Sequence, residues 1–402
     1  MTDKTLVVIY DVPYADTPGG FKILWGYSGY FKQIVTLSEF FADAVVFAPR
    51  IAPEHSELEV VGESKVRFQP LSEGVHGSKT SFFRYAPHYL THITRAIENH
   101  KHNAFFLAFV PGSMIGLCAA WKLKRAGVPY ALRVTSYVGK EFGVRGGVLR
   151  NTVAAIVQPC VDFFMRRLLS NTVSFYSGKV LYAGLPGTHL PVISSSFDEN
   201  IIQLHDPKPI HTPLRLLYVG MIEPRKGVLY LLEALRQLLD EGHDSELRIV
   251  GGEIGKPYRH ELERRVKELQ LEKHVTFVGW VPFGNRLFEH YRWADVFVFP
   301  TLYDIQGKVQ LEAMAHGVPV VATDVGGIGA IVKHEVTGLL VKPGSAEALC
   351  SSLIRIKRDD TLREHLVRSG YGTATHATIE RQTRIMLDHL RAIYPDFFSQ
   401  II

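Results

Sequence analysis

Residues 301–319 read TLYDIQGKVQLEAMAHGVP, and Asp304 and Glu312 stand eight positions apart with Gly307 between them. The apolar run Val296 to Phe299 predicts a strand, and Gly307 to His316 predicts a short helix closed by Gly317. Asp304 then falls in a loop just after a strand and Glu312 on the helix that follows, so both carboxylates are expected to face one crevice. A carboxylate can accept two hydrogen bonds from vicinal hydroxyls. The amides at the helix start, around Gly307, Lys308 and Val309, suit a diphosphate. Either acid alone reads better as a solvated Glu or as an N-terminal Asp that favours the helix dipole. The string as a whole favours a ligand.

A second motif, Tyr218-Val-Gly-Met-Ile-Glu-Pro-Arg-Lys-Gly227, places Gly220 at a strand end, where backbone can approach a ligand closely. Arg225 and Lys226 offer positive charge for a leaving diphosphate. The alternative, a basic helix start, is opposed by the helix dipole. Val250-Gly251-Gly252-Glu253 and Phe277-Val-Gly-Trp-Val281 read as further strand-end loops, with Gly251 and Val281 as candidate donor contacts. In the first half, Pro18-Gly19-Gly20 reads either as a glycine loop facing phosphates, through Gly19 and Gly20, or as a tight turn. Thr135 and Ser136, after Arg133, are candidate contacts to a sugar or an acceptor. The histidines show no spacing suited to a metal.

Over Leu214 to about Ile356 the chain resembles glycosyltransferase family 4, of the GT-B fold. The resemblance is carried by Leu311-Glu312-Ala313-Met314-Ala315 with Gly317 and Pro319, preceded by an acid eight residues before Glu312, and by Lys226-Gly227. The chain departs from the family with Asp304 in place of a Glu, Gln306 in place of an aromatic, Lys308 in place of an aliphatic and Met221 in place of an Arg. The resemblance implies that Glu312 holds the ribose hydroxyls of a nucleotide and that Asp304 meets the donor sugar. It also implies backbone contacts to the nucleobase from the two strand-end loops, and transfer with retention of configuration. Lys308 could pair with a phosphate or an acidic sugar, and Arg225 could supply the charge absent at Met221. The nucleotide-sugar is a substrate. No cofactor or metal is expected: the chain has no Asp-x-Asp pair, which fits charge neutralisation by Lys226, Arg225 and helix N-termini.

The elements that must position these residues alternate. Apolar runs at Thr5 to Tyr10, Ala44 to Ala48, Ala104 to Val110, Ala131 to Thr135 and Thr172 to Tyr176 fit strands covered on both faces. Helical patterns lie between them, at Pro87 to Asn99 and Ser113 to Arg125. The second half repeats the pattern, with Val228, Leu231, Leu232, Leu235, Leu238 and Leu239 on one face of a helix. The expected fold class is α/β: GT-B, two Rossmann-like domains facing each other across a cleft. The 402-residue length allows two cores. The polar, proline-bearing stretches 194–200 and 205–213 read as the link between them. This gives an N-terminal domain over 1–203 on the acceptor side, a donor-side domain over 212–376, and a C-terminal helix over 377–402 packing back on the first. Cys118, Cys160 and Cys350 sit in apolar contexts, read as core packing with no disulfide framework.

Charge is uneven. Between Lys101 and Val180 eleven Lys and Arg face two acids, Glu141 and Asp162. An anionic partner and an ordinary solvated surface fit this equally; no nucleic-acid signature appears. Residues 145–167 interleave Val148, Leu149, Val153, Ile156, Phe163, Phe164 and Met165 with basic residues and could lie on an anionic membrane surface, although Pro159 interrupts one continuous helix. No stretch reads as membrane-spanning or as a secretory leader. The expectation is a cytoplasmic protein, with a peripheral contact at the inner membrane face if the basic surface is real. Its partners are then a nucleotide-sugar donor and an acceptor that is a glycan, a lipid-linked glycan or a small molecule. Two rivals keep the same architecture: a nucleotide-sugar epimerase and a non-catalytic sugar-nucleotide binding protein. A nicotinamide oxidoreductase is disfavoured, because the first strand is not followed by a G-x-G-x-x-G turn.

Overall fold

In a computed structural model the described residues are 2–18, 20–24, 28–52, 58–60, 65–73, 79–110, 114–135, 159, 162–177, 184–202, 204–206, 208–253, 258–304 and 306–398. The chain divides into two compact units: Met1–Ser196 with Ile379–Ile402, and Phe197–Thr378. The first crossing falls inside the polar stretch 194–200. Residues 205–213, read from sequence as linker, belong instead to the second unit. They are fastened there by buried Asp295, whose Oδ2 accepts from the amides of His211 at 3.1 Å and Arg215 at 2.9 Å, while Oδ1 lies 2.7 Å from His211 Nδ1.

The strands of the first unit are β1 (Thr2–Ile9), β2 (Tyr14–Thr17), β3 (Gly20–Leu24), β4 (Phe41–Arg50), β5 (Leu58–Val60), β6 (Val66–Glu73), β7 (Ala104–Val110), β8 (Tyr130–Val134), β9 (Thr172–Ser177) and β10 (Gly187–Val192). They form one sheet in the order β10-β9-β8-β7-β1-β4-β2-β3-β5, with β6 also pairing β4. The centre is parallel and buried on both faces, which is why β7 can be apolar at every position. Helices Lys79–His100, Met114–Ala126 and 162–169 cover one face through Ile93, Ala119, Leu123, Met165 and Leu169. Helix Ser28–Ser38 and the C-terminal helices Ile379–Ile393 and Pro395–Phe398 cover the other, where Met386, Leu387, Leu390 and Phe398 join its core.

Three readings of the first half change. Pro18-Gly19-Gly20 closes a hairpin in which Thr17 pairs with Gly20, the tight-turn alternative; Gly19 itself lies outside the described residues. The helix read as starting at Pro87 starts at Lys79, with the proline inside it, because the apolar stripe at Tyr89, Ile93, Ala96 and Ile97 docks on the sheet regardless of the proline signal. Cys118 is only half-buried, whereas Cys350 is in the core; Cys160 lies outside the described residues.

Arg133, at the end of β8, is fully buried among neutral partners. Its Nη1 donates to the carbonyl of Phe175 and its Nη2 to Ser194 Oγ, each at 3.1 Å. Burial lowers its pKa to about 10, so the guanidinium stays charged at neutral pH. It ties the ends of β8, β9 and β10 together.

The second unit is built from β11 (Leu214–Val219), β12 (Ser245–Val250), β13 (Val275–Gly279), β14 (Val296–Phe299), β15 (Val320–Thr323) and β16 (Leu339–Val341). All pair in parallel, in the order β13-β12-β11-β14-β15-β16. The chain builds outward from β11 to β13, then returns to lay β14 against the other side of β11. The carboxyl ends of β11 and β14 therefore flank a topological switch point, where open α/β sheets hold ligands.

Gly251, just after β12, shows how tightly these ends are set: a Cβ there would lie 1.8 Å from the carbonyl oxygen of Gly220. Gly242 has φ +79° but open space around it. Gly242→Ala should cost about 1–2 kcal/mol for its left-handed backbone. Gly251→Ala should cost about 1–3 kcal/mol more, because backbone must move. Chemical denaturation of the two variants measures the difference; equal losses would mean that the approach at Gly251 is not what holds the loops.

Candidate functional site

The site grows from the loops after β11 and β14. Pro224–Lys226 forms a single 3-10 turn, and Gly227 follows with φ +68° before helix Val228–Asp240. A Cβ at Gly227 would stand 2.1 Å from the carbonyl oxygen of Pro300, so the two loops touch backbone to backbone. The carbonyl of Arg225 accepts from Leu302 N at 2.7 Å and from Thr301 Oγ1 at 3.2 Å, and Arg225 Nη1 donates to the carbonyl of Tyr303 at 3.1 Å. Gly326, in the loop after β15, leans on the same place: its Cβ would fall 1.8 Å from the carbonyl oxygen of Asp304.

This scaffold brings Arg225, Lys226 and Asp304 together. Lys226 Nζ donates to Asp304 Oδ2 at 2.5 Å, and Arg225 Nη1 lies 4.0 Å from the same oxygen. Arg225 Nη2 is 2.5 Å from Glu223 Oε1. The four side chains are 10–19% exposed, two cations against two anions, with charge balanced in a largely desolvated pocket. Tyr218 lies beneath, its hydroxyl donating to the carbonyl of Met221 at 2.8 Å. Burial, then the neighbouring Asp304 and Glu223, push that hydroxyl well above the usual phenol range, so it stays neutral.

Glu312 has different company. It lies on helix Val309–Ala315, with Lys308 as the residue before the first turn and Gly307 ahead of it at φ +71°. The carboxylate is 5% exposed, and its Oε2 accepts from the hydroxyl of fully buried Tyr291 at 2.8 Å. Burial, then the charge of Glu312, raises the Tyr291 hydroxyl far above its ordinary value, keeping it a donor. The Tyr291 ring stacks on His316 at 5.4 Å and 14°, and His316 Nδ1 lies 2.8 Å from the carbonyl of Glu312. Burial, offset in part by that bond, lowers the His316 pKa, which favours a neutral ring donating from Nδ1. Tyr291 is absent from the sequence reading, where His316 figures only as a helix end: an aromatic in a Tyr-Arg-Trp helix end carries no motif, and only the fold sets it under Glu312. Gln310 is the other addition. Its side chain is fully buried beside Gly307, and its amide finds no hydrogen-bond partner among the described residues.

Of the remaining candidates, Gly220 and Gly251 form the touching strand-end loops, and half-buried Val281 follows Trp280, whose side chain lies beside Gly252. Glu253 accepts from the amides of Tyr258 and Arg259, so it caps helix Arg259–Glu268. Gly20 and Thr135 belong to the first unit, where Thr135 N donates to the carbonyl of Val110 at 2.9 Å; Ser136 lies outside the described residues.

The chain has the GT-B fold. It aligns with sucrose-phosphate synthase from Thermosynechococcus elongatus at TM-score 0.73, with 20% identity, over 98% of this chain and all of that one. It aligns with Anabaena HepE in complex with UDP and glucose at TM-score 0.65, with 16% identity, over 97% of this chain and all of that one. Residues 201–373 match the family model described as "Glycosyl transferases group 1", so the second unit carries that domain. Its relatives include an uncharacterized glycosyltransferase of Methanocaldococcus jannaschii, 35% identical over 48% of this chain and 47% of the relative. Another is the D-inositol 3-phosphate glycosyltransferase of Corynebacterium glutamicum, 35% identical over 42% of this chain and 40% of the relative. These matches span about half or less of the relatives' length.

Tyr291→Phe removes one hydroxyl and takes a donor from the buried Glu312 carboxylate. It should cost about 1–3 kcal/mol of stability, read by urea denaturation. An unchanged midpoint would show that the Tyr291–Glu312 bond carries no net weight.

Proposed function

We propose that this protein transfers a sugar from a nucleotide-sugar donor to an acceptor, with retention of configuration and without a bound metal. The observation that carries the proposal is the Lys226–Asp304 pair at the switch point, flanked by Arg225 and set against the family's second acid, Glu312. Lys226 and Arg225 neutralise the departing diphosphate. Glu312, held by Tyr291, accepts hydrogen bonds from the ribose hydroxyls, and Asp304 meets the sugar. The acceptor oxygen bonds to the anomeric carbon on the face from which the diphosphate leaves. The acceptor proton passes to a diphosphate oxygen, so no protein nucleophile is needed. The acceptor is a glycan, a lipid-linked glycan or a small molecule.

The ion pair gives the reaction an order. Before the donor arrives, Asp304 occupies the ammonium that the diphosphate needs. Binding exchanges one anion for another, which frees Asp304 for the sugar. A second reading, sugar-nucleotide binding without catalysis, is favoured by the same observation if Asp304 never leaves Lys226.

The test is a thermal-shift screen against nucleoside diphosphates and nucleotide sugars. A matching nucleotide at a hundred times its Kd should stabilise by about 2.7 kcal/mol, and Glu312→Ala should abolish that shift. No shift from any member at about a millimolar would sink the transferase reading. Asp304→Asn separates the two remaining readings. With Lys226 released, the nucleoside diphosphate should bind several-fold more tightly while transfer from the nucleotide sugar is lost. If wild type binds the nucleotide sugar but neither transfers nor hydrolyses it, the binding-protein reading holds.

A further inference from the structure

The basic segment of the first unit has a surface that the proposed chemistry does not use. Two helices form it: Met114–Ala126, which follows β7, and 162–169, which precedes β9. Their inner faces enter the same core layer, through Ala119, Ala120 and Leu123 from one and Met165, Leu168 and Leu169 from the other. Met165, read from sequence as part of an exposed apolar stripe, is thus core, and residues 145–158 of that stripe lie outside the described residues.

Lys124 fixes the helices side by side. Its ammonium donates to the carbonyls of Arg167 at 2.8 Å and Ser170 at 2.6 Å. Trp121 lies one turn before Lys124 on the first helix, and Phe164 one turn before Arg167 on the second. Trp121 is 38% exposed, Phe164 42% and Phe163 69%; these are three of the seven exposed large apolar side chains among the described residues. The Arg125 guanidinium sits 4.4 Å and the Lys122 ammonium 5.6 Å from the Trp121 ring centroid. The first helix has no acidic residue.

We infer that this face docks on an anionic lipid surface. Exposed aromatics seat at the boundary between headgroup and acyl chain, while cations on long stems reach the phosphates. A soluble acidic protein would be met by the same charges, but Phe163 at this exposure needs an apolar phase to enter. The inference does not depend on the transferase reading.

The experiment sediments the full chain with vesicles of phosphatidylcholine alone and of phosphatidylcholine with phosphatidylglycerol. Binding to the anionic vesicles is expected, weakening as salt rises. Phe163→Ser with Phe164→Ser should reduce partitioning at least tenfold, and each of Lys122→Glu and Arg125→Glu by about fivefold. All four side chains are surface groups, so melting temperatures should not change. Three results would overturn the assignment: no sedimentation with anionic vesicles at low salt, equal binding to neutral vesicles, or full binding by the Phe163/Phe164 variant. A concentration-dependent dimer that the same variant abolishes, without vesicle binding, would show a second copy of the chain covering the face.

Discussion

The second unit depends on how closely its loops approach at the carboxyl ends of its strands. The loop after β11 touches the loop after β14 at Gly227 and Pro300, the loop after β12 touches the first at Gly251 and Gly220, and the loop after β15 touches Asp304 through Gly326. A side chain at Gly227, Gly251 or Gly326 would occupy the space of a neighbouring carbonyl. With the backbones in contact, a lysine and an aspartate 78 residues apart reach hydrogen-bond distance. Parallel pairing of β11 with β14 sets the register of that meeting, and the reversal of strand order leaves the crevice open above it.

Within that frame the site is a cluster of opposed charges rather than a bare cationic cradle. Desolvating Lys226, Arg225, Asp304 and Glu223 is costly, and their mutual attraction offsets the cost. In the proposed reaction an incoming phosphate would substitute for a carboxylate already there, so the charges would need little rearrangement. Glu312 is stabilised differently, by a neutral phenol that burial keeps protonated. One acid is thus exchangeable and the other fixed. That division suits the roles proposed for them, Asp304 moving to the sugar and Glu312 holding a ribose.

Much of this was legible in the sequence where chemistry and periodicity coincide. The run at Ala104 to Val110 marks β7 to the residue, because a strand covered on both faces has no polar alternation to blur it. The stripe from Val228 to Leu238 is the buried face of its helix, with Leu239 at the margin. The string from Asp304 to Pro319 located the loop and helix correctly. Partnership was not legible. Asp304 with Lys226, and Glu312 with Tyr291, are contacts between distant segments, fixed only once the sheet is assembled. The strands β2, β3 and β5, at one end of the first sheet, were missed because they are short and partly polar. Pro18-Gly19-Gly20 was ambiguous because a phosphate loop and a hairpin turn need the same residues.

The first unit is made from both ends of the chain, while the second is one uninterrupted segment. During synthesis every residue of the second unit is therefore available before the last helices of the first have emerged. Until then the first sheet lacks the cover of Met386, Leu387, Leu390 and Phe398 on one face. The nascent chain would hold a completed α/β unit while its other sheet still waits for that cover. A cut just before Ile379 would trap this intermediate, whereas excising residues 197–378 as a block would leave each core with its own set of apolar side chains.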